Sequence, residues 1–119
     1  MVKLVCLMKR RVGMTFEDFV NAYETKHRPL VLSFRPDARR YVRRYIKPQE
    51  NRIYSAERES PYDVITEIWF DTQEEFDRGI GRIATEEAAA AIARDSEDLF
   101  DMSKAHFFTV VEERFDDAP

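Results

Sequence analysis

His27 stands in a row of residues, Phe16, Phe19, Val20, Tyr23, His27, Leu30, Val31 and Phe34, whose spacing of three and four puts them on one face of a helix. A ring that titrates near neutral pH is thereby aimed at an apolar interior. That is how a general acid or base is housed, and equally how an ordinary buried histidine looks. Burial lowers the pKa of such a ring and the negative end of its helix raises it, so the sequence leaves the sum open. The ring of Pro29 clashes with a carbonyl four residues back and pushes Arg28 out of the helical region, which predicts a kink with His27 in the last regular turn. Tyr23, one turn earlier on the same row, either gives a phenolic hydrogen bond to a ligand oxygen or packs in the core with its hydroxyl satisfied by backbone. His27 and Tyr23 are the catalytic candidates.

The remaining candidates depend on which strand face the helix covers. In residues 62–70 the positions Val64, Thr66, Ile68 and Phe70 make one largely apolar face, and Asp63, Ile65, Glu67 and Trp69 make a mixed one. Covering the apolar face is the cheaper arrangement. It makes Thr66, Ile68 and Phe70 pocket residues, turns Asp63, Glu67 and Trp69 toward a partner subunit, and lets Glu67 pair with Arg43 or Arg44. In the reverse arrangement Asp63, Glu67 and Trp69 form the site face and Glu67 becomes the partner of His27. Tyr41 and Tyr45 share a parity on the preceding strand, with Arg43 between them, and either flank a ligand or form an ordinary cross-strand aromatic pair. Cys6 shares a face with Val2, Leu4 and Met8; it is a small buried hydrophobe or, if it approaches His27, an activated thiolate. His106 reads as an edge or interface histidine.

Several chemistries are disfavoured. Two histidines and one cysteine, scattered and without ligand spacing, argue against a metal site. Three glycines, at 13, 79 and 81, include no phosphate-cradling loop, so neither flavin nor dinucleotide is expected and no cofactor is assigned. The net charge of −4 argues against nucleic acid or an anionic membrane as partner, and arginines 39, 40, 43 and 44 read as a solvated sheet edge with ion pairs. No apolar run approaches the roughly 20 residues that span a bilayer. The opening residues read as a first strand and not a signal peptide, and a lone cysteine points to a reducing compartment, so a cytoplasmic location is expected.

A chain of 119 residues with 44% hydrophobic and 35% charged residues fits one domain, residues 1–119. Strands are expected at 2–8, 39–47, 62–70 and 105–113. The first helix starts after a Thr15 cap. A second helical region starts after Thr72, breaks near Gly79 and Gly81, and resumes from about Glu86 to Leu99. A polar connection at about 48–61 is long for a hairpin and is a candidate lid or subunit arm. The order β-α-β-β-α-β is that of a ferredoxin-like α+β fold with a four-stranded antiparallel sheet. Apolar residues on both sheet faces, with helices for only one, predict a homodimer in which two sheets meet face to face.

Four segments carry a resemblance: Lys-Arg-Arg-Val-Gly-Met-Thr-Phe-Glu-Asp-Phe at 9–19, Lys-His-Arg-Pro-Leu at 26–30, Tyr-Asp-Val-Ile-Thr-Glu-Ile-Trp-Phe-Asp at 62–71 and Asp-Ser-Glu-Asp-Leu-Phe-Asp at 95–101. They resemble the EthD-like proteins of the dimeric α+β barrel superfamily, over residues 3 to about 114. The resemblance implies homodimers with a pocket between helices and sheet. It also implies cofactor-free isomerase, dehydratase, polyketide cyclase or small oxygenase chemistry on a small-molecule substrate, with other members having no assigned activity; the alternative expectation is a non-catalytic binding or accessory protein for a hydrophobic metabolite. Its histidine before a proline matches His27, the position suspected of acid–base work. Arg28 and Val64 depart from the pattern, where a small or apolar residue and a glycine are expected.

Overall fold

The structure is a computed structural model that describes residues 1–47 and 60–113; most of the expected lid, 48–59, lies outside the described residues. Four strands, β1 (Val2–Met8), β2 (Arg40–Tyr45), β3 (Val64–Phe70) and β4 (His106–Thr109), form an antiparallel sheet in the order β2-β3-β1-β4. The architecture is the expected ferredoxin-like α+β arrangement. Helices α1 (Phe16–Ala22), α2 (Arg28–Ser33), α3 (Gln73–Ile83) and α4 (Glu86–Leu99) complete it.

Alternation along β3 decides which face the helices cover. Val64, Thr66, Ile68 and Phe70 are buried, whereas Ile65, Glu67 and Trp69 between them are only half-buried. Direct pairing of Cys6 with Thr66 and of Leu4 with Ile68 puts those β1 residues on the same covered side. Tyr41, opposite Ile68, belongs there too. On the outer side Trp69 is stacked between the Lys3 ammonium, 3.9 Å from the ring centroid, and the Arg40 guanidinium, at 5.4 Å.

The helix starts follow their caps. Thr15, Thr72 and Thr85 accept hydrogen bonds from the backbone N–H groups of Asp18, Glu75 and Ala88. Gly13, at φ +84°, makes the left-handed turn that leads into α1.

Four expectations are corrected. Pro29 does not expel Arg28 from the helical region: Arg28 has φ −57° and ψ −51°, and the helix continues to Ser33. The chain instead widens into a π-helical turn over Tyr23–His27, closed by the Arg28 N–H bonding to the Tyr23 carbonyl five residues back. The break in the second helical region falls at Ala84 and Thr85, and α3 runs through both glycines. Strand β4 ends at Thr109 and does not reach 113, because Thr109 already faces Leu4 and β1 runs out at Val2. Strands β2 and β3 are likewise shorter than 39–47 and 62–70, although the N–H groups of Arg39, Ile46 and Asp63 continue their ladders with bonds of 2.7 to 2.9 Å.

Gly79 marks a close approach. A Cβ at that position would overlap both the Pro36 carbonyl and the Phe70 ring, whereas one at Gly81 would meet open space. Gly79→Ala is therefore expected to destabilise the fold by about 1–3 kcal/mol through overpacking. Gly81→Ala, which gains only helix propensity, is expected to stabilise by up to about 1 kcal/mol. Urea unfolding of the two variants checks the opposite signs.

Candidate active site

Between the covered sheet face and helices α2 and α4 lies a cavity of about 470 Å³. That volume is within the range of small-molecule sites. Leu4, Met8, Val31, Ile68, Ile83, Ile92 and Phe100 make most of its wall; Met102 and Phe107, both largely exposed, also line it. Among the described residues Glu97 is the only acidic side chain in the lining, and no lysine or arginine lines it.

His27 lies in this wall and is 6% exposed. The rings of Tyr23 and Phe100 pack edge-on against the imidazole, each with its centroid 5.2 Å away. Its Nδ1 lies 2.8 Å from Oδ2 of Asp95 on α4. A carboxylate can only accept, so Nδ1 carries the proton and Nε2 is the nitrogen left with a free lone pair. Burial lowers the pKa of the imidazole, and Asp95 opposes that by its hydrogen bond and its charge. The net direction is down, so at neutral pH the ring is an uncharged base held in one tautomer by a carboxylate.

A second polar group lies beside the first. The Tyr23 hydroxyl is 2.6 Å from Thr66 Oγ1 and 3.2 Å from the Tyr41 hydroxyl, and all three residues line the cavity. Burial pushes the Tyr41 phenol up to about 12 and that of Tyr23 well above its ordinary value, so both remain protonated hydrogen-bond donors.

The sequence-based candidates divide accordingly. His27, Tyr23, Tyr41, Thr66, Ile68 and Cys6 all meet at the cavity. Phe70 does not: it is fully buried away from the lining, against Phe76 and beneath Gly79. Tyr45 is also absent from the lining; its hydroxyl donates to Glu24 at 2.6 Å, where Glu24 also takes two bonds from Arg43, at 2.8 and 2.9 Å. Burial pushes the Cys6 thiol up to about 12, the opposite of what an activated thiolate requires.

The alternative site face is taken up elsewhere. Asp63 is not turned toward a partner subunit but buried within the chain, accepting from the Arg10 N–H at 2.9 Å with Lys9 Nζ at 3.6 Å. Glu67 lies across the sheet from the cavity, bonded to Arg44 and to Trp69 Nε1, and cannot reach His27. His106 is exposed and its Nδ1 is 2.7 Å from the Tyr62 hydroxyl. Among the described residues no three His, Cys, Asp or Glu side chains cluster as metal ligands, and no helix is long and apolar enough to cross a membrane.

Asp95 escaped the sequence reading although its signal was there. It follows Ala88 and Ile92 and precedes Leu99 at steps of four, three and four, a carboxylate on the inward stripe of α4 just as His27 is an imidazole on the stripe before Pro29.

Sheet order, helix placement and a half-open cavity beside a buried imidazole define a ferredoxin-like α+β protein with a small-molecule-sized space. The family model for the EthD domain matches residues 11–103, and the chain belongs to the EthD family. Among solved structures, the fold is similar to an ethyl tert-butyl ether D (EthD) family protein from Bacillus halodurans, at 18% identity and a TM-score of 0.63 over 95% of this chain and 99% of that one. It is also similar to a protein from Arabidopsis thaliana, at 16% identity and 0.62 over 98% and 99% of the two chains. A third similar protein, from Agrobacterium tumefaciens, has 14% identity and a TM-score of 0.61 over 98% of each. Such identities bear on the fold alone. No curated protein matches the sequence.

Removing the Asp95 charge takes away the influence that raises the His27 pKa. In Asp95→Asn the ring should titrate lower than in the parent protein, as followed by NMR of the imidazole; an unchanged or higher value would show that the two side chains are not coupled. Because burial holds the folded pKa below the unfolded value of 6.5, the folded state binds fewer protons than the unfolded one as pH falls below about 6.5. Stability should therefore decline from there down to the folded pKa and then level off. His27→Gln should remove that part of the pH dependence in denaturant titrations.

Proposed function

We propose that the protein is a cofactor-independent enzyme that moves a proton on or off a small aromatic, polyketide-like or enolisable carbonyl substrate, in an isomerase, dehydratase or cyclase type of reaction. One observation carries this reading: the Nδ1 of a buried, neutral imidazole is held by a carboxylate, at the wall of a cavity with room for such a molecule. In this mechanism His27 Nε2 takes a proton from a carbon next to the substrate carbonyl, and Asp95 stabilises the imidazolium that forms. The electron pair moves onto the carbonyl oxygen, and Tyr23 and its hydroxyl neighbours lie close to the imidazole to bond it. Return of the proton to another atom completes an isomerisation; loss of a leaving group or attack on a second carbonyl gives elimination or ring closure. A positioned base of this kind contributes roughly two to four orders of magnitude in rate.

Val5, Leu7, Ile65, Trp69 and Phe108 share the outer sheet face, and we read that face as the contact between two copies. Support comes from the apolar residues placed where, among the described residues, no helix covers them.

The acid–base reading is tested with 2-tetralone as an enolisable probe in deuterated buffer, following loss of its α-proton NMR signal. The protein should accelerate exchange well beyond free imidazole at the same concentration. His27→Ala should abolish the acceleration, and Asp95→Asn should reduce it by about ten- to a hundredfold. An absence of acceleration above the imidazole control, or its survival in folded His27→Ala, leaves a non-catalytic binding protein as the reading of the cavity. Oxygen uptake during turnover would instead mark a cofactor-free monooxygenase.

A further inference from the structure

We infer that the cavity takes neutral ketones and related aromatic oxygen compounds and rejects their carboxylate counterparts, with the Tyr41 hydroxyl as the donor that holds the ligand oxygen. The inference rests on the acid–base reading for what happens to that oxygen, but it concerns binding, which is measured apart from proton transfer.

Proton counting identifies the donor. Tyr41, Tyr23 and Thr66 carry three hydroxyl protons between them, and the two contacts that join them use two. Either hydroxyl can donate in the 2.6 Å contact; a phenol is the better donor and an aliphatic hydroxyl the better acceptor, so we assign it from Tyr23 to Thr66. Tyr41 then donates to Tyr23 across 3.2 Å, long for an O–H···O bond, whose usual length is about 2.7–2.8 Å. The Tyr41 proton is the most weakly held of the chain and transfers its bond to a ligand carbonyl at little cost. Thr66 keeps the remaining proton.

Charge gives the specificity. Among the described residues no lysine or arginine lines the cavity. The guanidinium of Arg43, beside the Tyr41 ring, is fixed on Glu24 by two bonds of 2.9 and 2.8 Å. Glu97 in the lining adds a negative charge, and Asp95 adds another behind the imidazole. A carboxylate entering this half-open space sheds part of its water and meets no lysine or arginine among the described lining residues, which costs more than desolvating a ketone. Protonating His27 to receive it runs against the burial of that ring.

The test measures binding of three probes of nearly equal shape to the full chain by titration calorimetry: 2-acetylnaphthalene, 2-naphthoate and 2-ethylnaphthalene. The ketone should bind about tenfold or more tightly than the carboxylate. It should also bind more tightly than the hydrocarbon, and Tyr41→Phe should remove about three- to tenfold of that second preference while leaving the hydrocarbon unchanged. Circular dichroism identifies a Tyr41→Phe protein that is not folded; Tyr41→Leu, which also removes the hydroxyl, should then shrink the same ratio. Equal or tighter binding of 2-naphthoate overturns the inference, as does a ketone-to-hydrocarbon ratio unchanged in the folded variants, or no ketone binding at its solubility limit. A protein that exchanges 2-tetralone protons yet prefers the carboxylate sinks this inference alone. One that prefers the ketone without exchanging protons sinks the acid–base reading alone.

Discussion

A histidine deprived of water needs a partner for one nitrogen and a use for the other, and in this chain Asp95 supplies the first. The bond joins helix α4 to the π-helical turn that follows α1, and these segments flank the cavity. Without the carboxylate, burial alone would act on the ring's proton affinity, and nothing would choose between its tautomers. The apolar walls, the hydroxyl chain and the sheet beneath all take their chemical meaning from that fixed imidazole.

The same economy governs the other charged groups. Apart from Glu97, the carboxylates nearby are bound to cations outside the cavity lining: Glu24 with Arg43, Asp63 with Lys9 and Arg10, Glu67 with Arg44. Fixing them on one another leaves a lining whose polar groups, Glu97 aside, are neutral donors and one neutral base. In such low-dielectric surroundings a few oriented hydroxyls count for more than they would in water.

Much of this was legible in the residues. The row from Phe16 to Phe34 gave the buried face of the first helical stretch, and strand alternation put Thr66 and Ile68 with the helices and Glu67 and Trp69 away from them. Alternation assigns a side but not a position along the strand, which is why Phe70 and Tyr45 sit on the covered side and yet outside the cavity. The π-helical turn was not legible, because proline rules treat the helix as having only the choice of kinking or stopping. Gly79 was misread for a related reason: a glycine inside a helical pattern signals either a break or a close neighbour, and only the fold reveals Pro36 and Phe70 pressing on it. Asp95 needed the partner helix in view, since a single carboxylate on an amphipathic stripe gains significance only once something titratable faces it.

The widened turn at Tyr23–His27 holds one residue more than an α-helical turn would use. Each residue of a helix advances the bearing of the next by about 100°. Loss of a single codon within that stretch would therefore let the turn rewind as plain α-helix, with the segments on either side keeping their bearings. The surplus residue is thus one that the winding of the helix does not need, placed between the two side chains that bring a phenol and an imidazole to the cavity wall.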